Sequence, residues 1–380
     1  MPPFRDFTPS LAREPDLIGA ISRDVAARGL VGEEDAGLLV YLAYSSRKLR
    51  HPLSVIIRGP SGSGKDQIQR IPAFLMPPKS IVNAMLLTPR ALLHGKNGWL
   101  RNKIILGGER RHEQDDAQRD RTLVLRMLLS EGYVTQRSVA DGQAVVQRQD
   151  GPVSYSETTT QKSVFQEDLN RCLTVRTDPS EDLTGRVVDA VFSEKLPGER
   201  GQDSHVWLEK THHEFQEWLK PVDVRIPYGA RLAKLLPKSK IDVRRVAKHL
   251  RSLIEAVAYV QQGSRERDSS GCVLATLDDY AVARRLISRT FRELLDGDYS
   301  ERDDELKDLP EQFTTTEARD SGLIGVAGAV DRNQANKWTD RLVAAGLIVK
   351  VGTGPRGVHV WRKTQKRLED LVLPAVEDLS

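Results

Sequence analysis

Cysteine is almost missing from this 380-residue chain: Cys172 and Cys272 are the only two. That excludes a disulfide framework and any zinc site built on several thiolates, and each cysteine is expected to be a small core residue rather than a nucleophile. Long apolar runs are missing too. The longest, such as 37–43, are far too short to span a bilayer, which excludes a membrane protein. The opening MPPFRDFTPSLAREPD mixes both charge signs around no apolar segment, so it does not read as a secretory signal, and the chain is expected in the cytoplasm. Nor is there a strong charge of one sign. A formal net charge of +4 means that contact with nucleic acid has to come from local clustering. Internal repeats and low-complexity tracts are absent as well.

What is present is ordinary for a globular protein, 39% hydrophobic against 29% charged, over a length that at about 150 residues per domain predicts two or three folded units. Leu17, Ile18, Ile21 and Val25, then Leu38, Leu39, Leu42 and Ala43, recur at helical spacing on either side of Gly29 and Gly32, predicting a helical lead-in over 1–50. Short apolar β-rich runs then alternate with helical ones, the signature of an α/β unit around a buried parallel sheet. Strands are expected at 54–58, 81–84, 103–106, 153–156 and 173–176. Within 220–267 there are twelve Lys/Arg against four Asp/Glu, a basic helical stretch suited to a polyanion.

The strand at 53–58 runs into Gly59-Pro60-Ser61-Gly62-Ser63-Gly64-Lys65-Asp66 and then a helical start. Glycines let backbone amides close around a phosphate, the helix N-terminus adds partial positive charge, and a lysine at position 65 reaches the terminal phosphate oxygens. One position departs from the P-loop pattern. Asp66 stands where a hydroxyl usually meets Mg²⁺. A second strand, Lys103-Ile104-Ile105-Leu106, leads to Gly107-Gly108-Glu109, where a Walker B carboxylate pair belongs; Glu109 is kept and Gly108 occupies the Asp position. Asp66 is therefore expected to supply the metal-binding carboxylate that position 108 lacks. The alternative is a protein that binds nucleotide without hydrolysing it.

These residues resemble an AAA+ ATPase, of the branch similar to minichromosome-maintenance helicases and to the primase-helicases of phages, plasmids and mobile islands. The resemblance spans about 38–287 and includes 42–47, 126–132, 151–153, Thr158-Thr159-Thr160 and Glu167-Asp168-Leu169-Asn170-Arg171. It implies an AAA+ P-loop core over 51–215, a helical lid over 216–300, ATP and Mg²⁺ as ligands, and a homo-oligomeric ring, most simply a hexamer. It implies nucleotide contacts from Gly59, Gly62, Gly64, Lys65 and Asp66, catalysis by Glu109, a sensor-one group at Thr159 or its neighbours, an arginine finger at Arg171, and a sensor-two arginine at Arg244 or Arg245. Without the resemblance, Arg171 reads as a surface partner of Glu167 one helical turn back.

The segment 133–148 reads as two strands around Asp141-Gly142. In the resembled family such a hairpin touches the DNA backbone, a role that falls here to Arg137 and Arg148; a hairpin packed on its own domain is the alternative. After an acidic linker, 311–367 has the pattern of a winged helix, followed by a tail over 368–380. Thr315-Thr316-Glu317 reads as a helix cap, 333–345 as a second helix, and the runs after Gly346 and Gly357 as a two-strand wing. Between 331 and 367 there are nine Lys/Arg against two Asp/Glu, so Arg332, Lys337 and Arg356 are expected on DNA. His112, Glu113, Asp115 and Asp116 read as the solvated face of a helix rather than a metal cluster. His212, with Trp207, Phe215 and Trp218 around it, reads as part of a core face. The resulting expectation is an ATP-driven DNA motor, helicase or replication initiator, from a phage or other mobile element. No primase or zinc-finger segment is legible, so a priming partner is expected on another polypeptide. The rival is a non-hydrolysing, ATP-gated DNA-binding scaffold; a small-molecule P-loop kinase fits the winged-helix pattern poorly.

Overall fold

The computed structural model describes residues 8–84, 89–110, 116–140, 143–161, 168, 170–193, 201–236, 243–295, 306, 309–320, 338–340, 342–343, 347–354, 357–364 and 373–379. The chain divides into two compact units, one of 1–227 with 247–286 and one of 228–246 with 287–380.

The first unit is built on five parallel strands: β1 (Val55–Arg58), β2 (Ile81–Ala84), β3 (Lys103–Arg110), β6 (Val153–Thr159) and β7 (Leu173–Arg176), in the order β2-β3-β6-β1-β7. All five lie where apolar runs predicted them, because a sheet covered on both faces requires apolar side chains on both. Two run further than expected. Strand β3 continues past Leu106 to Arg110 and β6 past Ser156 to Thr159; the added residues of β6 are buried and Glu109 of β3 is exposed.

One face of the sheet carries α2 (Glu34–Ser45) and α3 (Lys65–Phe74), with Ser156 of β6 in hydrogen-bond reach of both. The other face packs Ile56, Ile105, Val153 and Tyr155 against Leu92, Leu93, Leu100 and, from α4 (Asp116–Glu131), Leu128. Helix α2 is more than a lead-in: every residue from Gly37 to Ser45 is buried, so it is a core helix with apolar residues all round. It is held by α6 (Gly201–Trp218; α5 is Glu181–Phe192). Arg47, 2% exposed, donates to the Tyr44 carbonyl and to Gln216 Oε1 at 2.8 Å, and Lys48 Nζ donates to the Gln216 and Leu219 carbonyls. His212 lies between Tyr41 Oη (2.9 Å) and Asp24 Oδ2 (3.0 Å), a core position as expected. Phe215 is fully buried, while Trp207 is exposed.

This packing gives the unit an alkaline limit. Burial pushes the phenols of Tyr41, Tyr44, Tyr155 and Tyr259 above their ordinary value near 10. Burial, then neighbouring Arg47, pushes the Lys48 ammonium down to about 8. From pH 8 to 10 the unfolded chain holds a proton on Lys48 that the folded chain has released, so that group adds stability as pH rises. Above 10 the unfolded phenols ionise while the folded ones do not, and stability falls. The urea midpoint is therefore expected to drop steeply above pH 10. Absorbance at 295 nm should show at least these four of the eight tyrosines ionising only with unfolding; gradual ionisation of all eight before the transition would contradict the packing.

Between α4 and β6, strands β4 (Tyr133–Ala140) and β5 (Gln143–Asp150) pair antiparallel as a two-stranded sheet of their own. Strands β8 (Val224–Arg225) and β9 (Val273–Leu274) form another small pair in the same unit. In the second unit, β10 (Gln312–Thr314), β11 (Ile348–Thr353) and β12 (His359–Lys363) make an antiparallel sheet in the order β10-β12-β11. Phe313, Ala318, Trp338, Leu342, Ile348 and Trp361 are buried together beside it. The helix at Thr315–Asp320 is capped one residue earlier than expected: Glu317 N–H donates to Thr314 Oγ1, and Thr314 N–H donates to the Glu317 carboxylate, a reciprocal capping box. Among the described residues no helix is long and apolar enough to cross a membrane.

Candidate functional site

The candidate site lies at the C-terminal end of β1, where a glycine loop enters α3. Gly62 and Gly64 both have φ of +80°, and a side chain at either would strain the backbone. Gly59 is needed for a different reason: a Cβ there would stand 2.0 Å from Thr177 Oγ1. Gly59 N–H donates to the Thr159 carbonyl, Thr177 N–H to the Arg58 carbonyl, and Thr177 Oγ1 to Ser63 Oγ at 2.9 Å, so the loop is tied to both strands flanking β1. Lys65 is 7% exposed, and its Nζ donates to the Pro60 carbonyl at 2.6 Å, folded back over the loop it would serve. The N–H groups of Lys65 and Asp66 open α3 ahead of the first helical bonds, which Gln67 and Ile68 make to the Gly64 carbonyl, and they face the loop where an anion would bind.

Glu109 reaches this edge through an irregularity. Down to Leu106, which pairs with Ser156, β3 and β6 are in simple register; beyond it Glu109 pairs with Thr158 and Arg110 with Thr159. Gly107 and Gly108 together therefore oppose Glu157 alone. A bulge of this kind moves every later side chain to the other face. Without it Glu109 would share the face of Thr159. With it Glu109 stands beside Thr158, on the face of Ser156 and α3, and is exposed. The glycine at the expected Asp position is thus one of the two bulge residues. Gly107 has no room for more, since a Cβ would lie 2.6 Å from Tyr155 Oη.

The bulge also sorts the threonines. Thr159 ends β6 fully buried, and its Oγ1 accepts the Gln161 N–H at 3.1 Å, a local turn. Its neighbour Thr158 shares face and register with Glu109. Asp66 is exposed in the first turn of α3. Among the described residues no three His, Cys, Asp or Glu side chains gather as a metal cluster. Mg²⁺ bound with a nucleotide takes only one or two carboxylates besides phosphate oxygens, and Asp66 beside the loop fits that donor set.

On the opposite face lies a cluster that sequence reasoning missed. Arg110 pairs with Glu157 and Asp168, both at 2.5 Å, and Arg126 Nε donates to Asp168 Oδ1 at 2.8 Å. Tyr155 Oη donates to Glu157. Burial pushes the Glu157 carboxyl up despite Arg110. Burial opposes ionisation of Asp168 as well, but Arg110 and Arg126 outweigh it and hold that carboxyl below its usual range. The carbonyl of Asp168 accepts the N–H of Arg171 at 2.9 Å, and Arg171 Nε donates to Ser130 Oγ at 2.6 Å. Glu167 lies outside the described residues. The signal in the sequence was a carboxylate in the middle of a buried strand, at Glu157.

Arg137 and Arg148 sit on one face of the β4–β5 hairpin. Thr135 pairs with Arg148 and Arg137 with Val146, so Tyr133, Thr135, Arg137, Val146 and Arg148 point the same way, and all five are exposed. The guanidinium of Arg148 lies 4.4 Å over the Tyr133 ring. The other face is anchored at its base by Val134 and by Gln149, which donates to the Gly95 carbonyl. Arg244 and Arg245 open α8 (Val243–Val260; α7 is Gly229–Leu235) and belong to the second unit, whereas Lys65 belongs to the first. Arg332, Lys337 and Arg356, like 111–115 with His112, lie outside the described residues.

Compared with known proteins, the chain matches no protein-family model and no curated protein.

Proposed function

We propose that the protein binds and hydrolyses ATP at the β1–α3 loop and couples turnover to DNA. The observation that carries this reading is the convergence, at one edge of the parallel sheet, of the glycine loop with Lys65 and a carboxylate, Glu109, turned by the bulge toward the loop helix. Ligands of open parallel sheets sit beyond the carboxyl ends of the strands, and this edge is of that kind. The loop amides and the start of α3 would hold the phosphates. Lys65 would exchange the Pro60 carbonyl for a terminal phosphate oxygen, Thr158 would orient a water, and Glu109 would accept its proton. Mg²⁺, held by Asp66 and the phosphates, would neutralise charge on the β and γ oxygens. By its resemblance to AAA+ proteins Arg171 would act in a neighbouring subunit's site, which makes a ring, most simply a hexamer, part of the proposal.

The exposed hairpin face supports nucleic acid as the partner, because it combines two arginines with an aromatic ring. Steady-state ATP hydrolysis with and without single-stranded and duplex DNA, at matched salt, tests the reading; turnover stimulated by DNA is expected. Tight ATP binding with no turnover under any condition would replace it with the non-hydrolysing scaffold. Arg137→Ala with Arg148→Ala should weaken single-strand binding and flatten its salt dependence by about 1.4 in log K against log salt, at about 0.7 per phosphate contact. An unchanged slope would remove the hairpin from the interface.

A further inference from the structure

We infer that Gln69 is the positioning residue that sets Glu109 against the loop, acting through the bulge in β3. The inference rests on the reading of Glu109 as the hydrolytic carboxylate. Bulges are rare in parallel ladders, and this one takes Gly107 and Gly108 out of regular pairing with β6, so their backbone groups need other partners. Gln69 supplies a donor. It is 3% exposed, and its Nε2 donates to the Gly107 carbonyl at 3.0 Å, to the Ser156 carbonyl at 3.2 Å and to Ser156 Oγ at 3.0 Å. One amide thus spans both strands at the step where their register changes. Tyr44 closes the arrangement from α2: its hydroxyl donates to the Gln69 carbonyl at 3.1 Å and shares a hydrogen bond with Ser156 Oγ at 2.8 Å.

Gln69 stands four residues after Lys65 in α3, one helical turn along the same face. The helix that delivers the loop lysine therefore also grips the strand that delivers Glu109. On the opposite side Gly107 lies against Tyr155 with no space for a Cβ, so the bulge is held from both faces of the sheet. Removing the amide while keeping its volume should leave the core filled and let the 107–109 segment shift.

The test uses the full chain with Gln69→Met, which removes the donor, and Gln69→Glu, which turns a carboxylate toward two carbonyls. Four quantities are read: kcat and nucleotide KM in DNA-stimulated hydrolysis, the thermal midpoint, and amide exchange at 107–110. The expected result in Gln69→Met is faster exchange confined to that segment and a kcat lower by about 10²-fold, the scale of an ångström of misplacement, at near wild-type KM and with the midpoint lowered modestly by the carbonyls left without a donor; Gln69→Glu should lower the midpoint further. Unchanged exchange in folded Gln69→Met overturns the grip on the bulge, whatever happens to turnover. Faster exchange with unchanged kcat, or a kcat that falls only together with a raised KM, overturns the positioning role. A wild-type protein that binds ATP without turnover overturns the hydrolytic reading itself, a failure visible before any variant is made.

Discussion

Glu109→Gln is expected to lower ATP turnover by roughly 10²- to 10⁴-fold, the usual contribution of a positioned general base, while nucleotide binding stays close to wild type. The two effects separate because the groups that would hold the phosphates, Lys65 and the loop amides, are on another strand and helix. Glutamine keeps the size of the side chain and accepts no proton. Glu109 is exposed at the end of β3, so the substitution should not change stability, and a fall in the thermal midpoint would signal a different defect. Turnover by rapid quench and binding of a fluorescent ATP analogue measure the two halves. Hydrolysis at wild-type rate in Glu109→Gln would mean that the bulge serves only the fold, and the proposal would then reduce to nucleotide binding. Lys65→Ala is the useful contrast, since it should fail at binding.

The bulge that makes this prediction possible was not legible in the sequence. Apolar runs announce buried parallel strands, so Val55–Arg58, Ile81–Ala84 and Leu173–Arg176 could be read almost to the residue. Register is a joint property of two strands, and an added residue in one leaves no mark except small side chains. The pair Gly107-Gly108 was such a mark, but read alone it suggested a missing carboxylate. The ion cluster was hidden for a related reason: Arg110 and Asp168 are 58 positions apart, and Arg126 and Asp168 are 42. No local pattern links such residues. The hairpin was the opposite case. Two-residue periodicity around a short turn places Arg137 and Arg148 on one face, and the structure has them there.

Asp168→Asn should destabilise the first unit by about 3–5 kcal/mol, the usual cost of breaking a buried ion pair from one side. Asp168 accepts from both Arg110 and Arg126, whose side chains are 12% and 16% exposed. With the carboxylate gone, Arg110 is left with Glu157, where burial already works against ionisation, and Arg126 loses a charged partner. Denaturant titration at neutral pH measures the loss. Its pH dependence gives a second check. The folded carboxyl of Asp168 lies below its ordinary value, so its contribution is complete above that value and is lost as pH falls through the depressed one; the gap between wild type and variant should therefore narrow in acid. A gap that is small at pH 7, or constant down to pH 3, would show that the arginines are solvated rather than held. Function should follow stability at a distance. The Asp168 carbonyl accepts the Arg171 N–H, and Arg110 adjoins Glu109, so the cluster joins the strand end of one proposed site to the arginine proposed to serve the next. In the proposed ring, loosening it should lower cooperativity between subunits as well as rate, an effect that Glu109→Gln, which leaves the cluster intact, would not reproduce.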